Sequence, residues 1–221
     1  MPSYKTSNKT LYDNRWLIVF TIMMLAILEV LDSTIVNVSL PAMMATLGAD
    51  QHQVTWVLTA YIVASAIILP ITGFLTGLFG QKRFLLICTT GFMFSSLFCG
   101  LSGSLSLLII FRVAQGAFGA SLIPISQAIL RQTFPKEEQA KAMAIWGLGI
   151  LVAPILGPTL GGYITAYASW RWIFYINLPF CLLGMILIRQ VIPDTSKFKA
   201  EIDLFGLFLM VIGVGFLQIF L

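Results

Sequence analysis

Apolar residues run through this chain in long blocks, joined by short polar stretches. The blocks cover roughly residues 16–40, 54–77, 84–101, 105–130, 142–165 and 172–189, and a seventh begins near Leu204 and ends with the chain at Leu221. Each complete block holds 18 to 26 residues. At ~1.5 Å of rise per residue, that is enough to cross ~30 Å of hydrocarbon with some tilt. The pattern predicts an all-α integral membrane protein, organised as a tail (1–15), a six-helix bundle (16–189), a loop (190–203) and part of a seventh transmembrane helix (204–221). The first block is too long for the core of a cleavable signal peptide and no small-residue cleavage site follows it, so it is expected to remain as the first helix.

Composition agrees with the pattern. Hydrophobic residues make up 58% of the 221, charged residues 10%, and the mean hydropathy is +0.94. A soluble domain carries about 25% charged residues, because its surface must be wetted. The three cysteines, Cys88, Cys99 and Cys181, all fall inside apolar blocks, where they read as small buried residues rather than as a disulfide or metal framework. No nucleotide-binding loop, Ser/His pair or metal-ligand cluster is evident, which argues against an enzyme, against ATP-driven transport by this chain alone and against a nucleic-acid partner.

Charge then orients the blocks. Eleven of the 13 basic residues lie on one side: before the first span, between spans 2 and 3, between spans 4 and 5, and after span 6. Arg171 lies on the other side and Arg112 lies within a span. The positive-inside rule predicts a cytoplasmic N-terminus. The five tryptophans, Trp16, Trp56, Trp146, Trp170 and Trp172, fall near predicted span ends, as an interfacial aromatic belt requires.

Three ionisable groups are left inside the spans: Glu29, Asp32 and Arg112. A charge at mid-bilayer costs about 2.5–3.5 kcal/mol on insertion scales, so such groups usually face a protein interior or a watery cavity. Glu29 and Asp32 are three residues apart and share a helical face, together with Ser33 and Val36. Counted from the far ends of spans 1 and 4, Asp32 and Arg112 lie at similar depth, roughly 10–12 Å below the surface. An ion pair between them is possible if the two helices are neighbours. Glu29 lies one turn deeper, where a carboxyl facing a cavity is suited to pick up and release a proton. A purely structural pair locking two helices is the competing reading.

Small residues form two further patterns. In RVAQGAFGA (112–120), Arg112, Gly116 and Gly119 share a face, which admits close approach of another helix. In span 5, Gly149, Ala153, Gly157 and Gly161 recur every four residues, with Pro154 and Pro158 beside them. The prolines remove two backbone hydrogen bonds, so this helix is expected to be shaped for a close, curved interface.

Together these stretches resemble the major facilitator superfamily, specifically its 14-helix drug:proton antiporters of the EmrB/QacA type. LDSTIVNVSLP (31–41) resembles that family's helix-1 motif and FRVAQGAFGA (111–120) its helix-4 motif. GPTLGGYI (157–164) is similar to the helix-5 antiporter motif, and SWRWIFYINLP (169–179) to the start of helix 6. IDLFGLFLMVIGVGFLQ (202–218) looks like the extra helix after the first six. One motif departs. Where the superfamily has G-x-L-A-D-R-x-G-R-K between helices 2 and 3, residues 73–82 read GFLTGLFGQK: Gly73, Gly80 and Lys82 match, but Gly77, Leu78 and Gln81 replace three charged residues.

The resemblance implies a six-helix bundle of two three-helix repeats, in the bacterial cytoplasmic membrane, that exports lipophilic or cationic small molecules. The proton gradient would be the energy source, and no cofactor is implied. It implies proton coupling at Asp32 and Arg112; Glu29 lies outside the helix-1 motif proper, and its position suits either a second protonation site or a contact for cationic substrates. Asn37, Gln115, Gly116, Gly149, Pro154, Gly157, Pro158, Gly161 and Gly162 would line the substrate cavity or pack helices, and Gly73, Gly80 and Lys82 would remain of the loop motif. Its implied partners are the lipid bilayer, a C-terminal half against which span 5's small-residue face packs, and a periplasmic adaptor. With 221 residues, only the N-terminal half of such a transporter is expected here, so a non-transporting membrane protein or a half-transporter needing a partner half stands beside the exporter.

Overall fold

The computed structural model describes residues 15–194 together with Gly206, Leu209, Ile212 and Gly213. Most of the expected seventh span, the tail before residue 15 and the loop after residue 194 lie outside the described residues. Among the described residues, six helices are long and apolar enough to cross a membrane: α1 Arg15–Leu47, α2 Gln51–Phe79, α3 Gln81–Leu101, α4 Leu105–Thr133, α5 Lys136–Tyr167 and α6 Trp172–Val191. The order is the one predicted, but α1, α2 and α5 outrun the apolar blocks at both ends and the other three at one end. A hydropathy block marks where lipid touches the chain, whereas a helix continues until its backbone is capped. α1 runs through Pro41 to Leu47, giving up only the hydrogen bond that Asn37's carbonyl would have received.

Three helices are interrupted. α2 tightens into a 3₁₀ turn over Leu69–Ile71, at Pro70. α4 breaks at Ala120–Ser121. α6 consists of Trp172–Tyr175 and Asn177–Val191, and Pro179 leaves Tyr175's carbonyl without the N–H a regular helix would offer. α5, by contrast, is unbroken through Pro154 and Pro158.

The packing repeats itself. α1 lies along α5 as α2 lies along α4; α3 packs on α4 as α6 packs on α1; and α3 faces α6. Exchanging α1–α3 with α4–α6 leaves this pattern unchanged, which is what two three-helix repeats produce. The core divides into one cluster around Leu25, Phe92 and Leu122 and another around Ile35, Val57 and Phe174. Buried hydroxyls bond back within their own helices, as Thr21 to Leu17, Thr89 to Leu85 and Ser126 to Leu122, so they need no water in an apolar interior.

The small-residue face of α5 corrects an expectation. It does not wait for a second half, because α1 occupies it. A Cβ on Gly157 would lie 2.2 Å from Thr34 Oγ1, and one on Gly161 would lie 2.9 Å from Ile35's carbonyl oxygen. Four small positions specify a close neighbour but not which one. The face of α5 left exposed carries Leu148, Leu151, Ile155, Leu156 and Tyr163. The aromatic belt also holds only in part. Trp16, Trp56 and Trp172 are exposed, but Trp146 is buried in the core, and Trp170 is buried with its indole N–H donating to Thr46 Oγ1 at 2.9 Å.

At the basic end, Arg15 pairs with Glu138 across α1 and α5 at 3.0 Å. Lys82 Nζ donates to the carbonyl of Arg189 at 3.0 Å, capping the end of α6 with a positive charge. Gly80 joins α2 to α3 at φ 82°, a conformation that side chains disfavour. At the opposite end Arg171 Nη1 donates to the carbonyls of Gly100 and Ser102, with its guanidinium over the Trp170 ring.

Candidate functional site

Five helices converge on one carboxylate. Asp32 of α1 accepts at Oδ2 from Arg112 Nη1 of α4 at 2.6 Å. Its Oδ1 accepts from Gln115 Nε2 at 2.8 Å and from Asn177 Nδ2 of α6 at 2.7 Å. Arg112 and Gln115 sit one helical turn apart, so both reach the same acid, and Gln115 Oε1 in turn accepts from Arg112 Nη1 at 2.7 Å. The break in α6 places Asn177 at the start of its second segment, facing inward. Ser96 Oγ of α3 accepts from both amides, at 2.6 Å from Gln115 and 3.1 Å from Asn177. α2 contributes Val57's carbonyl, which accepts from Arg112 Nε at 3.1 Å, and Tyr61, whose ring centroid lies 4.1 Å from Arg112 Cζ.

Asp32 and Arg112 are 0% exposed. Asp32 accepts from one guanidinium and two amides, and hydrogen bonds between charged partners are among the strong ones. Arg112 Nη2 and Asn177 Oδ1 make no hydrogen bond in this cluster. Glu29 is different. It is only partly buried, and among the described residues its one hydrogen bond comes from Tyr61's hydroxyl, at 3.3 Å to Oε1. The site thus holds a sealed, fixed charge pair and, one turn away on the same helix, a second acid with looser surroundings. Asp32 is enclosed and does not face a cavity as expected, whereas Glu29 is partly exposed.

The other expected positions divide. Gln115 belongs to the buried cluster, and Gly116 is a packing residue, since a Cβ there would lie 2.3 Å from Tyr61's carbonyl oxygen. Gly149, Gly157 and Gly161 pack α5 against Met23, Thr34 and Ile35 of α1. Gly162 is loose, with Val38 at 3.9 Å, and Pro154 and Pro158 are exposed beside the packed stripe. Asn37 is also exposed and bonds back to Ser33's carbonyl at 3.2 Å. Gly73 is exposed with nothing near it, while Gly80 and Lys82 act at helix ends as described. Sequence reasoning missed Tyr61, Ser96 and Asn177. Asn177 had a readable signal: a primary amide one turn into an apolar span, where a polar group needs a partner.

A model of the Major Facilitator Superfamily matches residues 22–220. The chain belongs to that superfamily. Among its curated relatives, the chain is 45% identical over 196 residues to the multidrug export protein EmrB of Haemophilus influenzae, covering 88% of this chain and 38% of the relative. It is 41% identical over 208 residues to the probable multidrug resistance protein EmrY of Escherichia coli, covering 93% and 41%. The chain therefore spans about two fifths of the length of the relatives it matches. The inward-open xylose transporter XylE of E. coli shares its fold, with a TM-score of 0.73 at 14% identity over 92% of this chain and 55% of the transporter. The family and six membrane-length helices make this a multi-pass membrane protein of a transporter superfamily.

Proposed function

We propose that this superfamily member is the N-terminal part of a proton-driven exporter of lipophilic compounds, set in the bacterial cytoplasmic membrane with its N-terminus in the cytoplasm. The observation that carries the proton coupling is the Asp32–Arg112 pair, fully buried between α1 and α4 with Glu29 one turn away. A buried charge pair is weak evidence for stability, because hydrophobic replacements of similar volume often do as well. A charge pair enclosed between two membrane-length helices therefore favours a working role. Multidrug relatives support the substrate class, and the basic residues gathered at one end support the orientation.

Transporters of this kind bind substrate between two halves and move one against the other. The exposed apolar face of α5 is suited to receive a second half. Reconstituted alone in proteoliposomes, the chain is expected to show no drug-dependent proton flux. Co-reconstituted with the C-terminal half of a relative such as EmrB, it is expected to show flux. Flux from the 221 residues alone would mean that copies of this chain supply the second half. Absence of flux in both preparations would count against the exporter.

A further inference from the structure

One side chain touches both parts of the site. Tyr61 is buried between Glu29 and Arg112, with its hydroxyl donating to Glu29 Oε1 at 3.3 Å and its ring 4.1 Å beneath the Arg112 guanidinium. Its place is fixed by two glycines of α4. A Cβ on Gly116 would strike Tyr61's carbonyl oxygen at 2.3 Å, and one on Gly119 would lie 3.0 Å from its hydroxyl. Tyr61's backbone is therefore held close against α4, and the freedom left to it is that of its side chain.

The two contacts differ in kind. The hydroxyl bond responds to the charge on Glu29: a carboxylate is a strong acceptor, and a neutral carboxyl is a weaker one that can also donate. The ring contact responds to the position of Arg112, since a guanidinium over an aromatic face is held by the ring's quadrupole. A proton arriving at Glu29 weakens the hold on the hydroxyl, and the ring that moves with it is the one under Arg112. Arg112 is the group that binds Asp32.

We propose that Tyr61 is a positioning residue that carries the protonation state of Glu29 to the Arg112–Asp32 pair. The assignment rests on the proton-coupled reading above for its purpose but not for its test. The charged neighbour of Glu29 is Asp32, one turn along the same helix, while Arg112 lies against the Tyr61 ring. Between Ala142 and Gly162, α5 has no titratable side chain, and α6 brings Tyr175 and the Cys181 thiol.

The test is infrared titration of the full chain in lipid nanodiscs, prepared with isotope-labelled arginine. The carboxyl band of Glu29 is identified by its loss in Glu29→Gln. In the parent, the guanidinium band of Arg112 should shift over the same pH range in which the Glu29 band forms. Tyr61→Phe keeps the ring and drops the hydroxyl, so Glu29 should still titrate while most of the guanidinium shift disappears. Tyr163→Phe, on the exposed side of α5, should keep the whole shift. A guanidinium shift as large in Tyr61→Phe as in the parent would overturn the assignment, and so would a parent whose Arg112 band ignores Glu29. Neither readout needs transport, so failure of the exporter reading would leave this result interpretable.

Discussion

Asp32→Ala is expected to destabilise the bundle by about 3–5 kcal/mol, the usual consequence of removing one partner of a buried ion pair. Arg112 would keep Val57's carbonyl, Gln115 Oε1 and the Tyr61 ring, but its charge would be stranded at 0% exposure. Three donors aimed at Asp32, from Arg112, Gln115 and Asn177, would lose their acceptor together. Replacing both ends of the pair, as Asp32→Ala with Arg112→Met, should cost less than the single change, because no uncompensated charge remains. Equilibrium unfolding of the purified variants in mixed micelles measures this. A single variant as stable as the parent would mean that the charge is neutralised in another way.

The second large effect is expected at Gly116. Gly116→Ala puts a methyl group 2.3 Å from a backbone oxygen of α2 and 3.0 Å from two further backbone atoms of Tyr61. Backbone cannot rotate aside, so α2 and α4 must separate, and overpacking of this kind typically costs about 1–3 kcal/mol. The separation would also draw Tyr61 away from Arg112. Gly149→Ala is the control. Its Cβ would come as close, 2.2 Å, but to the sulfur of Met23, a flexible side chain that can swing clear. Thermal unfolding should therefore rank Gly116→Ala well below Gly149→Ala, and equal losses would contradict the packing account.

Much of this was legible in the sequence. Six spans and their order follow from hydropathy, because a bilayer tolerates no other reading of apolar runs this long. The Asp32–Arg112 contact followed from counting depth along two helices, since charges in hydrocarbon must find each other. Partners were less legible than periods. The stripe from Gly149 to Gly161 announced a close interface, yet nothing in its spacing distinguishes α1 from a second half. Tyr61 and Ser96 were hidden for a similar reason: a tyrosine or serine in an apolar span is common, and only the fold brings them to the pair. Span ends were misjudged wherever helix continued beyond lipid, as α1 does past Pro41 and α5 does before Ala142.

The central claim is that the buried pair and its neighbouring acid couple export to proton entry. The most direct test is drug-dependent proton flux in proteoliposomes holding this chain together with a complementary C-terminal half, comparing the parent with Asp32→Asn. The account predicts that the variant inserts and assembles but that its drug-driven proton flux is lost. An Asp32→Asn transporter that exports at the parent's rate, with the parent's pH dependence, would contradict it.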